Sequence, residues 1–252
     1  MDFGPLTAFG IVLVRIGMLV AMTPLLGGSW APMPVKVGLT VILAVVVMPL
    51  ITLPAMGNMA TIALVVAHES LVGLALAMSV RIVLGAAELG GYLVGFQMGF
   101  AYAAIVDPQS GVRNNVLAAL YASLATLALL GTNLHHQLLR LLVATYETLP
   151  VAAAASIQPS VVETVMRMLG LIFVTGLRLA APVVLVLLFV ELVMGVTSRA
   201  APSLNLMMVA APLRLILGLV ALGIAIRVVP PVMTRVGSWG LELGAQLAHA
   251  LR

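Results

Sequence analysis

The sequence contains no cysteine, so disulfides, thiolate metal sites and thiol nucleophiles are excluded at the outset. Charge is nearly as scarce. Only 8% of the 252 residues are Asp, Glu, Lys or Arg, against about 25% in a soluble domain. Twelve Lys and Arg with eight Asp and Glu cannot give a chain of this size a polar surface. Soluble enzymes, disordered tails, secreted disulfide domains and coiled coils are therefore excluded together. The basic residues are single and scattered, from Arg15 and Lys36 to Arg235 and Arg252. None of them cluster into the electrostatic footprint of a nucleic-acid binder.

What the sequence has in quantity is apolar surface: 63% hydrophobic residues and a mean hydropathy of +1.23. This is the composition of an integral membrane protein. A spanning helix needs about 20 mostly apolar residues, and the candidate runs are Leu6–Leu26, Val37–Leu53, Thr61–Val80, Val116–Gly131, Met168–Val190 and Leu206–Val229. A glycine-rich segment of intermediate polarity, Gly85–Val106, lies between the third and fourth. No stretch alternates apolar and polar residues over successive strands, which excludes a β-barrel. The expected class is all-α, polytopic, with residues 1–252 forming one membrane domain. The start, Met1-Asp2-Phe3, lacks the positive opening and small-residue cleavage site of a secretory signal. The first run is therefore expected to be retained.

Arg15, His68, Glu69, Arg178 and Arg214 fall inside these runs. An arginine at the centre of a lone spanning helix costs about 2.5–3.5 kcal/mol even on the lenient insertion scale. Protein neighbours are the expected explanation, in preference to side chains snorkelling to the interface, a route that suits Arg81 or Arg227 near run ends. The stretch from Arg214 to Arg227 covers only about 18 Å of helix, short of a hydrocarbon core of about 30 Å.

Gly91, Gly95 and Gly99 recur every four residues and form one smooth stripe on a helix, which lets another backbone approach. Gln97 projects from the same segment and needs a partner if buried. The stretch Ile105-Val106-Asp107-Pro108-Gln109-Ser110-Gly111-Val112-Arg113 breaks the helix with Pro and Gly. It reads equally as a surface loop and as a loop at membrane depth enclosed by protein. Arg199, Pro202 and Asn205 interrupt two apolar helices, and Pro212 sits one turn into the next, either delaying its start or kinking it.

Chemistry is absent from these motifs. His68-Glu69 lacks the second histidine of a zinc-protease helix, because Val72 stands four residues on. His135 and His136 lie about 100° apart on a helix and have no third ligand. There is no nucleophile elbow, phosphate loop or dinucleotide fingerprint. A secondary transporter would carry paired discontinuous helices around a midplane site. The similarity of Pro34–Leu39 to Pro212–Leu217 is too thin a repeat to support one.

An ordered series does carry information. Arg15, Pro24 and Pro34-Val35-Lys36-Val37-Gly38-Leu39 are followed by Glu69 with Gly73, then Gln97-Met98-Gly99-Phe100 and Asp107-Pro108. Asn133–His136, Gly176–Pro182, Gly195–Arg199, Ala201-Pro202, Asn205, and Pro212 with Arg214 and Gly218 complete it. Through nearly all of its length the chain resembles the FliR family, membrane subunits of the flagellar type III export gate, and their counterparts in virulence injectisomes. It departs at Arg214, where lysine is usual, at Leu134, where glycine commonly precedes the histidine pair, and at Glu191, where aspartate or a neutral residue is expected.

The resemblance implies a non-enzymatic subunit without cofactor or metal, built of bent helical hairpins. A FliP-like first part (1–155) would be followed by a FliQ-like hairpin (156–252), with the boundary in Ala152–Val161. It implies assembly with FliP and FliQ subunits and other export-gate components in the bacterial inner membrane, at the flagellar basal body. The assembly would form the channel for unfolded export substrates, in contact with lipid and not with nucleic acid. Residues Ile105–Arg113 would plug the channel. Arg15, Glu69, Gly91, Gly95, Gln97, Gly99, Arg178, Arg199, Pro202, Asn205, Pro212 and Arg214 would serve packing and assembly. A flagellar system is expected in preference to an injectisome.

Overall fold

The computed structural model describes residues 4–28, 31–51, 59–100, 116–151, 158–200 and 206–251. Nine α-helices are seen among them: α1 (Gly4–Met22), α2 (Pro24–Gly27), α3 (Met33–Val47), α4 (Met59–Gln97), α5 (Val116–Gly131), α6 (Leu134–Thr148), α7 (Ser160–Ala200), α8 (Leu206–Ala225) and α9 (Val229–His249). No strand occurs among the described residues. Three helical stretches are long and apolar enough to cross a membrane, or four if the broken pair α5–α6 counts as one span. The chain is an all-α polytopic membrane protein.

Proline sets the early boundaries. Pro24 opens α2 directly after Thr23, and Pro34 lies in the first turn of α3. At these positions a missing N–H costs nothing, because the first turn's donors have no helical acceptor. Pro49 then tightens the end of α3 into the short 3-10 turn Met48–Leu50. Between α5 and α6 the chain breaks at Asn133, whose φ of 56° is left-handed, a region asparagine tolerates better than most side chains.

Several expectations change. The run Thr61–Val80 and the first part of Gly85–Val106 are not separate segments: α4 runs through the first and into the second as far as Gln97, one helix of 39 residues, about 58 Å long. Its glycines are accommodated because neighbouring helices pack on them. The run Met168–Val190 likewise lies within the 41-residue α7, extended at its start by an exposed Glu163–Arg167 pair four residues apart. Pro212 lies inside α8, six residues after its first residue, Leu206, so the helix does not begin at the proline. The amphipathic helices α6 and α9 are not among the apolar runs, because their polar faces dilute the signal.

The chain divides into two compact units. The first comprises residues 1–83, 129–169 and 236–252. Its core holds Val12, Ile16, Leu19, Val72, Leu76 and Leu138, all fully buried. In it α1 packs on α3, and α9 lies against α4 along a glycine seam. A Cβ at Gly240 would come within 2.5 Å of the Ser79 carbonyl oxygen. The second unit comprises residues 84–128 and 170–235, with Ala86, Val94, Tyr121, Ala125, Val183 and Leu187 in its core. Much of α7 is uncovered there: Leu185, Phe189 and Val196 are 64%, 68% and 71% exposed.

Candidate functional site

Two charged residues of the first unit meet in a sealed centre. Arg15 of α1 and Glu69 of α4 are both 0% exposed. Arg15 Nε donates to Glu69 Oε2 at 2.6 Å and Nη2 donates to Oε1 at 2.9 Å, the two-pronged geometry that a planar guanidinium favours. Nη2 also donates to the Leu149 carbonyl at 3.1 Å, and Nη1 to Thr145 Oγ1 at 3.3 Å. The guanidinium carbon lies 4.1 Å from the centre of the Tyr146 ring, a cation–π distance. Leu149 is the residue that ends α6, so the cation also meets the negative end of a helix dipole.

Local sequence builds this centre. Gly73 lies one helical turn after Glu69 and therefore on the same face of α4. A Cβ at Gly73 would strike the Arg15 carbonyl oxygen and lie 2.9 Å from Met18 Cβ. Only glycine lets α4 come close enough to α1 for the carboxylate to reach the guanidinium. His68, 4% exposed, shares a hydrogen bond of 2.9 Å between Nε2 and the carbonyl of Leu251. Since a carbonyl only accepts, Nε2 carries the proton, and Nδ1 faces Glu69 Oε1 at 4.0 Å. His68 thereby ties the chain after α9 to α4.

The second unit holds a smaller polar junction. Gln97, in the last turn of α4, donates through Nε2 to Glu191 Oε1 of α7 at 3.1 Å. Arg214 Nη2 of α8 lies 3.4 Å from the same oxygen, with both side chains about a third exposed (31% and 36%). One carboxylate thus joins three helices. Two turns further along α7, exposed Arg199 lines an open groove with Leu188, Leu192 and Val196.

The glycine stripe resolves into separate roles. Gly91 is buried against α5, where a Cβ would lie 2.6 Å from Ala118 Cα. Gly99 is not on the stripe, because the helix ends before it. At φ 93° its N–H donates to the Phe96 carbonyl at 3.1 Å, and the Phe100 N–H donates to the Gly95 carbonyl at 3.0 Å. These two bonds are the Schellman arrangement that closes a helix C-terminus.

Arg15 and Glu69 are therefore brought together within the chain, as are Gln97 and Arg214 through Glu191. Arg178 is exposed on α7, and Pro212 is exposed on α8. Residues Ile105–Arg113, Pro202 and Asn205 lie outside the described residues. Thr145, Tyr146 and Leu149 were not anticipated, because nothing marks a helix as partner to a distant arginine except its amphipathic face. Glu191 stood out only as a departure from the family pattern, yet it is the hub of the second junction.

Neither centre resembles a reaction site. The Arg15–Glu69 pair is closed to substrate and its carboxylate is held by a guanidinium. Among the described residues no group of three His, Cys, Asp or Glu could hold a metal ion. What both arrangements do is fix helices against one another.

Comparison with known proteins agrees with this picture. The model of the family "Bacterial export proteins, family 1" matches residues 6–238. The chain is 32% identical over 241 residues to the flagellar biosynthetic protein FliR of Pectobacterium carotovorum subsp. carotovorum, covering 94% of this chain and 91% of that protein. Against the FliR of Escherichia coli (strain K12) it is 32% identical over 208 residues, covering 82% and 79%. Against that of Bacillus subtilis (strain 168) it is 28% identical over 238 residues, covering 93% and 92%.

Proposed function

Since the chain belongs to the bacterial export proteins, family 1, we propose that it is a non-catalytic subunit of the flagellar type III export gate. In this reading it assembles with FliP- and FliQ-type subunits in the bacterial inner membrane and lines the channel through which unfolded flagellar proteins leave. Residues 1–155 form its FliP-like part and 156–252 its FliQ-like part. The observation that carries the reading is the family match, which runs from residue 6 to residue 238 of the 252. A flagellar system is favoured over an injectisome because the relatives at 32% identity are named as flagellar proteins. The sealed ion pair adds support, since it spends its charge on architecture and leaves nothing for chemistry.

Deleting the gene and assaying secretion of flagellar rod and hook subunits tests the assignment. Export stops, and returns when the full chain is supplied in trans. Normal export in the deletion strain refutes it. Affinity purification of the chain from mild detergent should bring FliP- and FliQ-type subunits with it, and their absence would refute the assembly. The polar stretch Ile105–Arg113 is assigned the resting plug, on the strength of its Pro and Gly breaks between two apolar helices. Removing Asp107–Arg113 should raise small-molecule leakage through assembled gates, and unchanged leakage refutes the plug.

A further inference from the structure

His135 and His136 take no part in either junction. They are the second and third residues of α6, and their rings lie against each other with centroids 4.1 Å apart and planes tilted by 38°. His136 is exposed and His135 half-buried. The Nδ1 atom of His135 is nonetheless sealed and has no hydrogen-bond partner. The turn that carries the pair is held shut by its neighbours. Asn133 keeps a left-handed φ of 56°, a conformation that persists only where the surrounding structure enforces it. Its carbonyl accepts from the N–H groups of His136 at 3.0 Å and Gln137 at 3.2 Å. Leu134 is buried against α9, where a Cβ at Gly237 would lie 2.9 Å from its Cδ1.

This arrangement suits neutral rings and not charged ones. An imidazolium donates from both nitrogens, and at His135 Nδ1 that donor would be buried without an acceptor, a costly state for a charged group. Two stacked cations would repel across 4.1 Å. The first turn of a helix is also the positive end of its dipole, where added positive charge is unfavourable. Among the described residues neither ring pairs with a carboxylate. Val116–Gly131 of α5 contains no Asp, Glu, Lys, Arg or His. On α6, exposed Arg140 stands one turn past His136 as a further cation, while Glu147 is about 16 Å along the helix. On α9, exposed Arg235 and Glu242 flank Gly237. Arg15, Glu69 and His68 gather toward the far end of α6, where Tyr146 lies. We propose that the His135–His136 pair is an acid-operated release on the first turn of α6. With both rings neutral the turn stays stacked, closed on Asn133 and seated on α9. As the rings charge, His135 leaves its seat so that water can reach Nδ1, and Leu134 is drawn off Gly237 with it. The seated state is therefore complete on the alkaline side of the histidine range and is lost toward acid. Every group in the device belongs to this chain, so it is independent of the assembly reading.

Because the chain has no cysteine, spin labels can be attached without background. The test labels the full-length protein through Q137C on α6 and Q246C on α9, both exposed positions, and measures the distance between them by dipolar EPR in nanodiscs. At about pH 8 one narrow distance is expected, and at about pH 5 a second, broader population joins it. Returning the sample to the higher pH should remove that population. H135Q combined with H136Q should hold the single distance at both values, whereas H136K, charged throughout, should show the second population already at the higher one. A distribution that does not change with pH overturns the proposal, as does a response that survives the double glutamine variant. A control pair, A21C on α1 with Q246C, should give one distance throughout. Broadening of the control in acid means that the whole unit loosens, and this also overturns the proposal. If the double variant lacks the closed distance, H136F decides, since it keeps a ring against His135 but takes up no proton. There the second population should shrink, and an undiminished one overturns the proposal.

Discussion

Arg15 keeps a full charge in an apolar helix because Glu69, Thr145, Leu149 and Tyr146 surround it in one geometry. Removing one member is expected to harm more than removing the pair. Glu69→Gln leaves a buried guanidinium uncompensated and should cost about 3–5 kcal/mol, whereas Arg15→Met with Glu69→Leu should cost less. Thermal unfolding in detergent micelles of the single and double variants checks this ordering. Swapping the pair, Arg15→Glu with Glu69→Arg, should not restore stability, because a carboxylate would then face the Leu149 carbonyl. Gly73→Ala should destabilise by about 1–3 kcal/mol, since its Cβ meets the backbone of Arg15 and cannot move aside. The same melting experiment reads it. Both residues were legible as out of place in their runs, but not as partners of each other. Nothing in a linear sequence says whether an embedded charge is answered by its own chain or by another. Arg15 and Arg178 look alike in sequence, and only the fold separates them.

At the scale of the element, the apolar runs marked most of the helices, while boundaries depended on single residues. The helix Val116–Gly131 followed directly from composition, whereas the runs Leu6–Leu26 and Val37–Leu53 passed over the break between Thr23 and Pro24 and missed the start of α3 at Met33. The fusion of two expected segments into α4 did not follow either, because glycine weakens a helix in isolation and yet permits the contact at Ala118 that holds it in place. Gly99 was counted with the stripe by its spacing, but its left-handed backbone makes it the terminator of α4. Gly99→Ala should cost about 1–2 kcal/mol through that backbone strain. Its mark should be faster amide hydrogen exchange of Gly99 and Phe100, the two donors of the cap, with α1 unchanged. Equal exchange rates in the two proteins would remove Gly99 from the capping role. The helices α6 and α9, with mixed polar and apolar faces, needed tertiary contacts to declare themselves. The first of them supplies half of the Arg15 site.

For the whole molecule, the apolar helices differ in how far the chain itself covers them. The most apolar window of α4 is 67% buried inside the chain, whereas those of α7 and of the stretch Ala210–His249 are each 28% buried. Membrane-partitioned carbene labelling of the isolated chain in nanodiscs should therefore modify α7 and α8 far more heavily than α4, with mass spectrometry giving the sites. In the assembly proposed above, partner subunits should then shield α7 selectively. The span of the Arg15 centre also bears on how the protein is made. Its members lie from 54 to 134 residues downstream of the arginine, so during synthesis α1 emerges from the ribosome long before its counter-ion exists. The first helix thus has no counter-ion of its own chain until Glu69 has been translated. The site is complete only when the segment ending at Leu149 has followed, so the earliest helix depends for its last partners on residues made more than half a chain later.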